Sequence, residues 1–216
     1  MTRDSSERFE LAQGYRETAQ TGALARYWKR RWEKSEEMAA WLSPASLPSL
    51  SEEQSLALYR ASGCRNHREF SANPPEEVND TLDFLLYDTI TLEARFNECV
   101  SDAGAYKLAG AGKEFISYLL CLRQPGLLAV WNPAAERALR RLGRYPKGLA
   151  RGHWGLRYMD LLEATHGLRP EYGLADFREV DEFCYFVDRR ARADKAQKDI
   201  ESSGRERQSQ PEGRVT

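Results

Sequence analysis

Leu108-Ala109-Gly110-Ala111-Gly112, followed directly by KEFISYLLCLR (113–123), is the stretch on which the reading of this chain turns. Glycines at alternate positions leave backbone N–H groups exposed and let an anion approach without meeting a Cβ. The apolar spacing after Gly112 predicts a helix from about Lys113 to Arg123, so the turn opens a helix whose free amides and dipole also favour an anion. A loop through Gln124-Pro125-Gly126 then leads to Asn132-Pro133. Asn as N-cap, Pro at the first helical position and Gly143 just past the end predict the next helix.

Outward from this pair the signals stay helical. Ala23 to Leu42 has the spacing of one amphipathic helix carrying Leu24, Tyr27, Trp28, Trp32 and Met38. Ser51 with Gln54 predicts a capping box for a helix near Leu56–Ser62. Pro74-Pro75 precedes a helix with Val78, Leu82, Leu85 and Leu86 on one face, and Thr91 caps another that ends by Gly104. Segment 144–153 is glycine-rich and basic and is predicted as loop; further helices fall near 154–166 and 176–190. No strand alternation is convincing and no internal repeat occurs, so the fold class is all-α. The expected organisation is a single helical domain over 1–190. Residues 191–216 are expected as a disordered charged tail, because apolar residues nearly vanish after Arg190.

Composition narrows the function classes. The chain is 216 residues long and 41% hydrophobic, which suits a globular core. No run of 18 or more apolar residues occurs, which argues against a membrane partner, and MTRDSSERFELAQ lacks the apolar segment of a secretory signal. Cys64, Cys99, Cys121 and Cys184 lack the spacing of a zinc or iron–sulfur site, so neither metal nor cofactor is expected, and a cytoplasmic location suits them. The formal net charge of −1 conceals a segregation. Seven acids and no Lys or Arg lie between Glu69 and Ala94, whereas Arg137, Arg140, Arg141, Arg144, Lys147, Arg151 and Arg157 lie in a stretch without any acid. A second basic knot, Lys29-Arg30-Arg31, sits among Tyr27, Trp28 and Trp32. Segregated charge of this kind gives a surface a positive field suited to phosphate.

The run 108–143 resembles the core of the helix-hairpin-helix (HhH-GPD) DNA glycosylases, which carry an L-P-G-V-G-like turn, a small and apolar helix, a loop to V-D-T-H, and a helix ending R-L-G. Leu108, Gly110 and Gly112 match the turn, Val130-Trp131-Asn132-Pro133 falls where V-D-T-H is expected, and Arg141-Leu142-Gly143 matches the helix end, without a gap. The resemblance implies a compact helical glycosylase fold, with the helix-hairpin-helix and active-site helix over 92–143. It also implies a double-stranded DNA partner, and an enzyme that flips a nucleotide out and breaks the base–sugar bond. Gly110, Gly112, Lys113, Arg140, Arg141, Arg144, Lys147 and Arg151 are then the expected DNA contacts. Trp131, Tyr118 and Trp154, with Trp28, are candidates for stacking on the flipped base.

Two departures shape the expected chemistry. The family's aspartate position is Asn132, which carries no charge and also reads as a plain N-cap. The position of the lysine used by bifunctional members, eighteen residues earlier, is Glu114, and Lys113 points about 100° away around the helix. The expected enzyme is therefore monofunctional, leaving an abasic site, with Glu114 and Asn132 as catalytic candidates and Glu136, Asp102 and Asp160 as less specific substitutes. The expected substrate is a modified base. The chain is similar to small bacterial antiviral glycosylases that remove α-glucosyl-hydroxymethylcytosine from phage DNA. Repair of an oxidised or alkylated base, and a catalytically inactive DNA-binding module of a restriction-like defence system, are the alternatives.

Overall fold

The computed structural model describes residues 3–19, 21–147 and 152–208, with backbone alone at 3–5, 197, 198 and 200–208. The regular elements are all helical, with no strand among the described residues. In chain order they are α1 (Arg3–Thr18), α2 (Gly22–Arg31), α3 (Ser35–Trp41), α4 (Glu52–Ala61), α5 (His67–Phe70) and α6 (Pro75–Tyr87). They continue with α7 (Leu92–Val100), α8 (Lys113–Arg123), α9 (Pro133–Arg141), α10 (Trp154–His166), α11 (Leu168–Tyr172) and α12 (Phe177–Gln208).

Local signals place several of these ends. Ser51 and Gln54 close both halves of the capping box on α4, at 3.2 and 2.9 Å. Asn132 Oδ1 accepts from the Ala135 amide at 2.8 Å, with Pro133 at the first position of α9. At the other end of α9, Gly143 (φ +67°) donates to the Arg140 carbonyl and Arg144 to that of Leu139, which is a Schellman closure.

Four features differ from the sequence prediction. The single helix over 23–42 is two, α2 and α3, broken at residues 32–34. No Gly or Pro makes that break; Arg31 and Trp32 are both buried there, and their burial bends the chain inward. Helix α1 is present although its apolar pattern is sparse; Leu11 and Tyr15 are its core residues. The short α5 and α11 have too few residues for a periodic signal. Helix α12 continues through the first part of the predicted tail, to Gln208, with Arg192 paired to Asp188 (2.9 Å) and Asp194 to Arg141 (3.1 Å). Residues 209–216 of that tail, and Arg151, lie outside the described residues.

The core is one continuous apolar cluster from Leu11 to Val187. Helix α8 runs through its middle, buried at every position from Phe115 to Leu122. Helices α7 and α10 cross closely enough to place Phe96 flat against Tyr158, ring centroids 4.3 Å apart. The crossing depends on Gly155, where a Cβ would lie 1.7 Å from the Glu93 carbonyl oxygen. No helix among the described residues is long and apolar enough to cross a membrane. Gly155→Ala is expected to lower stability by about 3 kcal/mol or more, since backbone must move to admit the methyl. Urea unfolding, with the midpoint shifted and the slope retained, checks this.

Candidate functional site

The glycine turn is fixed from behind. Asn73 brackets Ala109, accepting from its amide at 2.9 Å and donating to its carbonyl at 3.0 Å. The Tyr59 hydroxyl donates to the Gly110 carbonyl at 2.7 Å, and Lys107 Nζ to that of Ala111. Three successive carbonyls are thus engaged by the protein. The amides of Gly110 and Gly112 have no acceptor among the described residues, and both glycines line one broad cleft. Gly110 is required here: its φ is +70°, and a Cβ would meet the Phe70 amide nitrogen at 2.8 Å and the Asn66 carbonyl oxygen at 2.9 Å. A turn with occupied carbonyls and unoccupied amides presents positive potential outward. The hairpin is not tight, because twelve residues (101–112) separate α7 from α8.

The cleft, about 900 Å³, gathers side chains from α2, the turn after α4, the glycine turn, and the N-termini of α8 and α9, with α12 as the far wall. Seven of its lining residues are cationic (Arg30, Arg31, Arg65, Lys113, Arg137, Arg189 and Arg192), against two acids, Glu114 and Asp188. Glu114 and Asn132, the pair singled out by the resemblance, both line it.

Behind Asn132 stands a residue that sequence reasoning missed. Asp181, fully buried on α12, accepts from Asn132 Nδ2 at 2.6 Å through Oδ1. Its Oδ2 accepts from the Tyr27 hydroxyl (2.9 Å), Arg31 Nε (3.0 Å) and Trp32 Nε1 (3.0 Å). Asn132 is therefore engaged at both ends and only 3% exposed. Arg31 is equally buried, and burial works against its charge, but Asp181 and its other anionic neighbours hold its pKa above the ordinary value. Arg31 Nη1 donates to the Ser62 carbonyl, and Nη2 has no hydrogen-bond partner.

Of the two carboxylates that line the cleft, Glu114 is the more exposed and the less tightly paired. Its side chain keeps 26% of its exposure, and its ion pair with Arg31 is loose at 3.7 Å. Burial, the largest influence, raises its pKa above the usual glutamate range; Arg31 opposes this and Asp181 reinforces it. The group can take up and release a proton nearer neutrality than an exposed glutamate.

The other predicted residues divide. Lys113 reaches the cleft, but its Nζ is held by Glu136 and sits 4.5 Å over the Trp131 ring. Tyr118 and Trp131 are fully buried, bonded to the Arg31 carbonyl and to Glu136, and neither faces the cleft. Trp154 is half-buried beside Trp131, under Arg157. The base-pocket assignment of these three is thereby corrected: Tyr118 lies on the buried stretch of α8, Trp131 is buried in the segment before α9, and Trp154 packs against it away from the cleft. The rings that line the cleft are Tyr27, Tyr59 and Tyr185, with Tyr27 and Tyr185 stacked at 4.0 Å. Trp28, Asp102, Asp160 and Glu136 do not line it.

The predicted phosphate contacts Arg140, Arg141 and Arg144 also lie off the cleft, each paired with an acid: Glu136 (3.2 Å), Asp194 (3.1 Å) and Glu171 (2.6 Å). Lys147 is exposed. Among the described residues no cluster of three His, Cys, Asp or Glu could hold a metal, and all four cysteines are free thiols.

No family model, curated protein or solved structure matches the chain. The glycosylase resemblance accordingly rests on the residues of the run 108–143 alone.

Asp181→Ala strips the partner from a buried arginine and is expected to cost about 3–5 kcal/mol, seen as loss of cooperative unfolding or a large fall in midpoint. Glu114 has the opposite sign. A carboxyl whose folded pKa is raised contributes stability that is fully present below its unfolded value and is lost as pH rises through the folded one. Glu114→Gln is therefore expected to raise Tm at neutral pH, with the gap closing in acid; an equal gap at every pH would refute it.

Proposed function

We propose that the protein is a monofunctional DNA N-glycosylase working in the arginine-lined cleft. The observation that carries this reading is the meeting of Glu114, Asn132 and the unoccupied amides of Gly110 and Gly112 on one cationic concave surface. The turn and the arginines hold phosphates on either side of an extruded nucleotide. The base–sugar bond then breaks with its electron pair leaving on the base, and positive charge grows on the sugar ring. Ionised Glu114 stabilises that charge and takes the proton of the water that attacks the anomeric carbon. Asn132, fixed by Asp181 and by the α9 amide, orients Pro133 and the wall beside it. The products are free base and an abasic site.

Absence of lyase chemistry is supported by Lys113, whose amine is engaged with Glu136 and Trp131. The substrate proposed is a cytosine enlarged by a glucosyl-hydroxymethyl group, as in modified phage DNA, which gives the protein a role in antiviral defence. A DNA-binding module without chemistry is the second reading, favoured by the complete engagement of Asn132.

Phage DNA carrying glucosylated hydroxymethylcytosine, incubated with the protein, is expected to gain abasic sites detectable with an aldehyde-reactive probe, and borohydride should trap no covalent adduct. Glu114→Gln should lower base release by about 10²–10⁴-fold. The rate should rise with pH through a midpoint above the ordinary glutamate value, because the ionised form acts. Full activity in Glu114→Gln would remove Glu114 from the mechanism; binding without abasic sites on any DNA would favour the module.

A further inference from the structure

The cationic surface does not stop at the cleft. Beyond Arg30, Gly63, Cys64 and Arg65, which belong to both, a second groove of about 500 Å³ opens over the C-terminal ends of α2 and α4. Its lining holds three arginines, Arg30, Arg60 and Arg65, beside His67, with no acid. All four are exposed, and none of the three arginines has a carboxylate partner among the described residues, in contrast to Arg140, Arg141 and Arg144. Holding unpaired guanidinium groups of one sign together in a concavity is unfavourable for the free protein, and an anion with repeating charge relieves it.

We propose that this groove is a phosphodiester track, carrying the nucleic-acid backbone away from the cleft over α2 and α4. Arg30 is the joint, since it lines both concavities and lies 5.6 Å over the Tyr27 ring at the cleft wall. The turn at 63–67 contributes Arg65 and His67 from a backbone held by the α5 start, where the His67 ring meets Tyr59 edge-on at 5.4 Å. Tyr59 is also the residue that grips the Gly110 carbonyl, so track and glycine turn are positioned by one side chain. A nucleic acid fits better than an anionic membrane. The surface is concave, and none of the exposed large apolar side chains, Phe9, Ile90, Leu127, Leu156 or Met159, lines it. This deepens the glycosylase reading, on which the identity of the polymer as DNA rests, by naming where the strand leaves the site.

The test is binding of fluorescent duplex and single-stranded oligonucleotides across a salt series by the full chain. Three variants are compared with it: Arg30→Ala/Arg60→Ala/Arg65→Ala, the matching triple Lys variant, and Arg140→Ala/Arg141→Ala/Arg144→Ala. The groove alanine variant is expected to bind at least about tenfold more weakly on every sequence, with its log K against log salt slope reduced by roughly 2–3. The Lys variant should keep the slope and so exclude misfolding as the cause, and the paired-arginine variant should bind as the parent does. A groove alanine variant with parental affinity and slope overturns the track and leaves the glycosylase reading intact. Binding to phosphatidylserine vesicles but to no oligonucleotide overturns the track in favour of a membrane surface. Groove-dependent binding with no base release on any DNA upholds the track and overturns the glycosylase.

Discussion

Four donors from two parts of the chain, residues 27–32 and Asn132, converge on the carboxylate of Asp181, which is shut off from solvent. A buried charge is tolerated only when it is paired and its lone pairs are filled, and here both conditions are met by Arg31, Tyr27, Trp32 and Asn132. The consequences spread outward. Arg31 Nη1 goes on to the Ser62 carbonyl and faces Glu114, while the Tyr118 hydroxyl holds the Arg31 carbonyl. Helices α2, α8, α9 and α12 and the turn after α4, which wall the cleft together with the glycine turn, are all tied to this one cluster. The site is a surface expression of a core polar network.

That network explains which parts of the molecule could be read from its sequence. The ends of α4, α8 and α9 were legible, because capping and glycine closure are local and their residues are adjacent. Glu114 and Asn132 were named together only through the family resemblance; what brings them to one cleft is the start of α8 meeting the start of α9. Asp181 was not. It lies among charged residues at the start of a helix that turns polar, and only the tertiary donors from α2 and α9 mark it as interior. Arg31 was hidden likewise inside a basic knot that reads as a solvated face. Its burial also broke the helix predicted over 23–42, which has no Gly or Pro to announce the break.

Charge shows the same limit from the other side. The acid-free run 137–157 looks like an anion-binding face, yet Arg137, Arg141 and Arg144 find carboxylates on α11 and α12, far away in sequence. Linear segregation records only local neighbours, whereas a field depends on what the fold brings alongside. The groove's unpaired cations are instead Arg30, Arg60 and Arg65, of which only Arg30, inside the Lys29-Arg30-Arg31 knot, stands out in a window of the sequence. Surface pairs of the first kind contribute little stability, but they cancel the field that would attract a polyanion.

The same reasoning bears on the uncharged residue at 132. An aspartate there would set a second carboxylate within hydrogen-bonding distance of Asp181, and the two would have to share one proton rather than both ionise. An asparagine satisfies the site completely: its carbonyl oxygen caps α9 and its amide donates to Asp181. Charge at this end of the cleft has therefore been placed one layer deeper, where it organises the walls but cannot touch a ligand. Any carboxylate chemistry on the proposed reading must then come from the rim, and Glu114 is the acid there that is free of a close partner. Its raised pKa follows from that position, half withdrawn from solvent and only loosely paired, which costs the fold stability at neutral pH. On the proposed reading, a loosely paired carboxylate sharing one cleft with two unoccupied amides suits a positive charge that develops between phosphates.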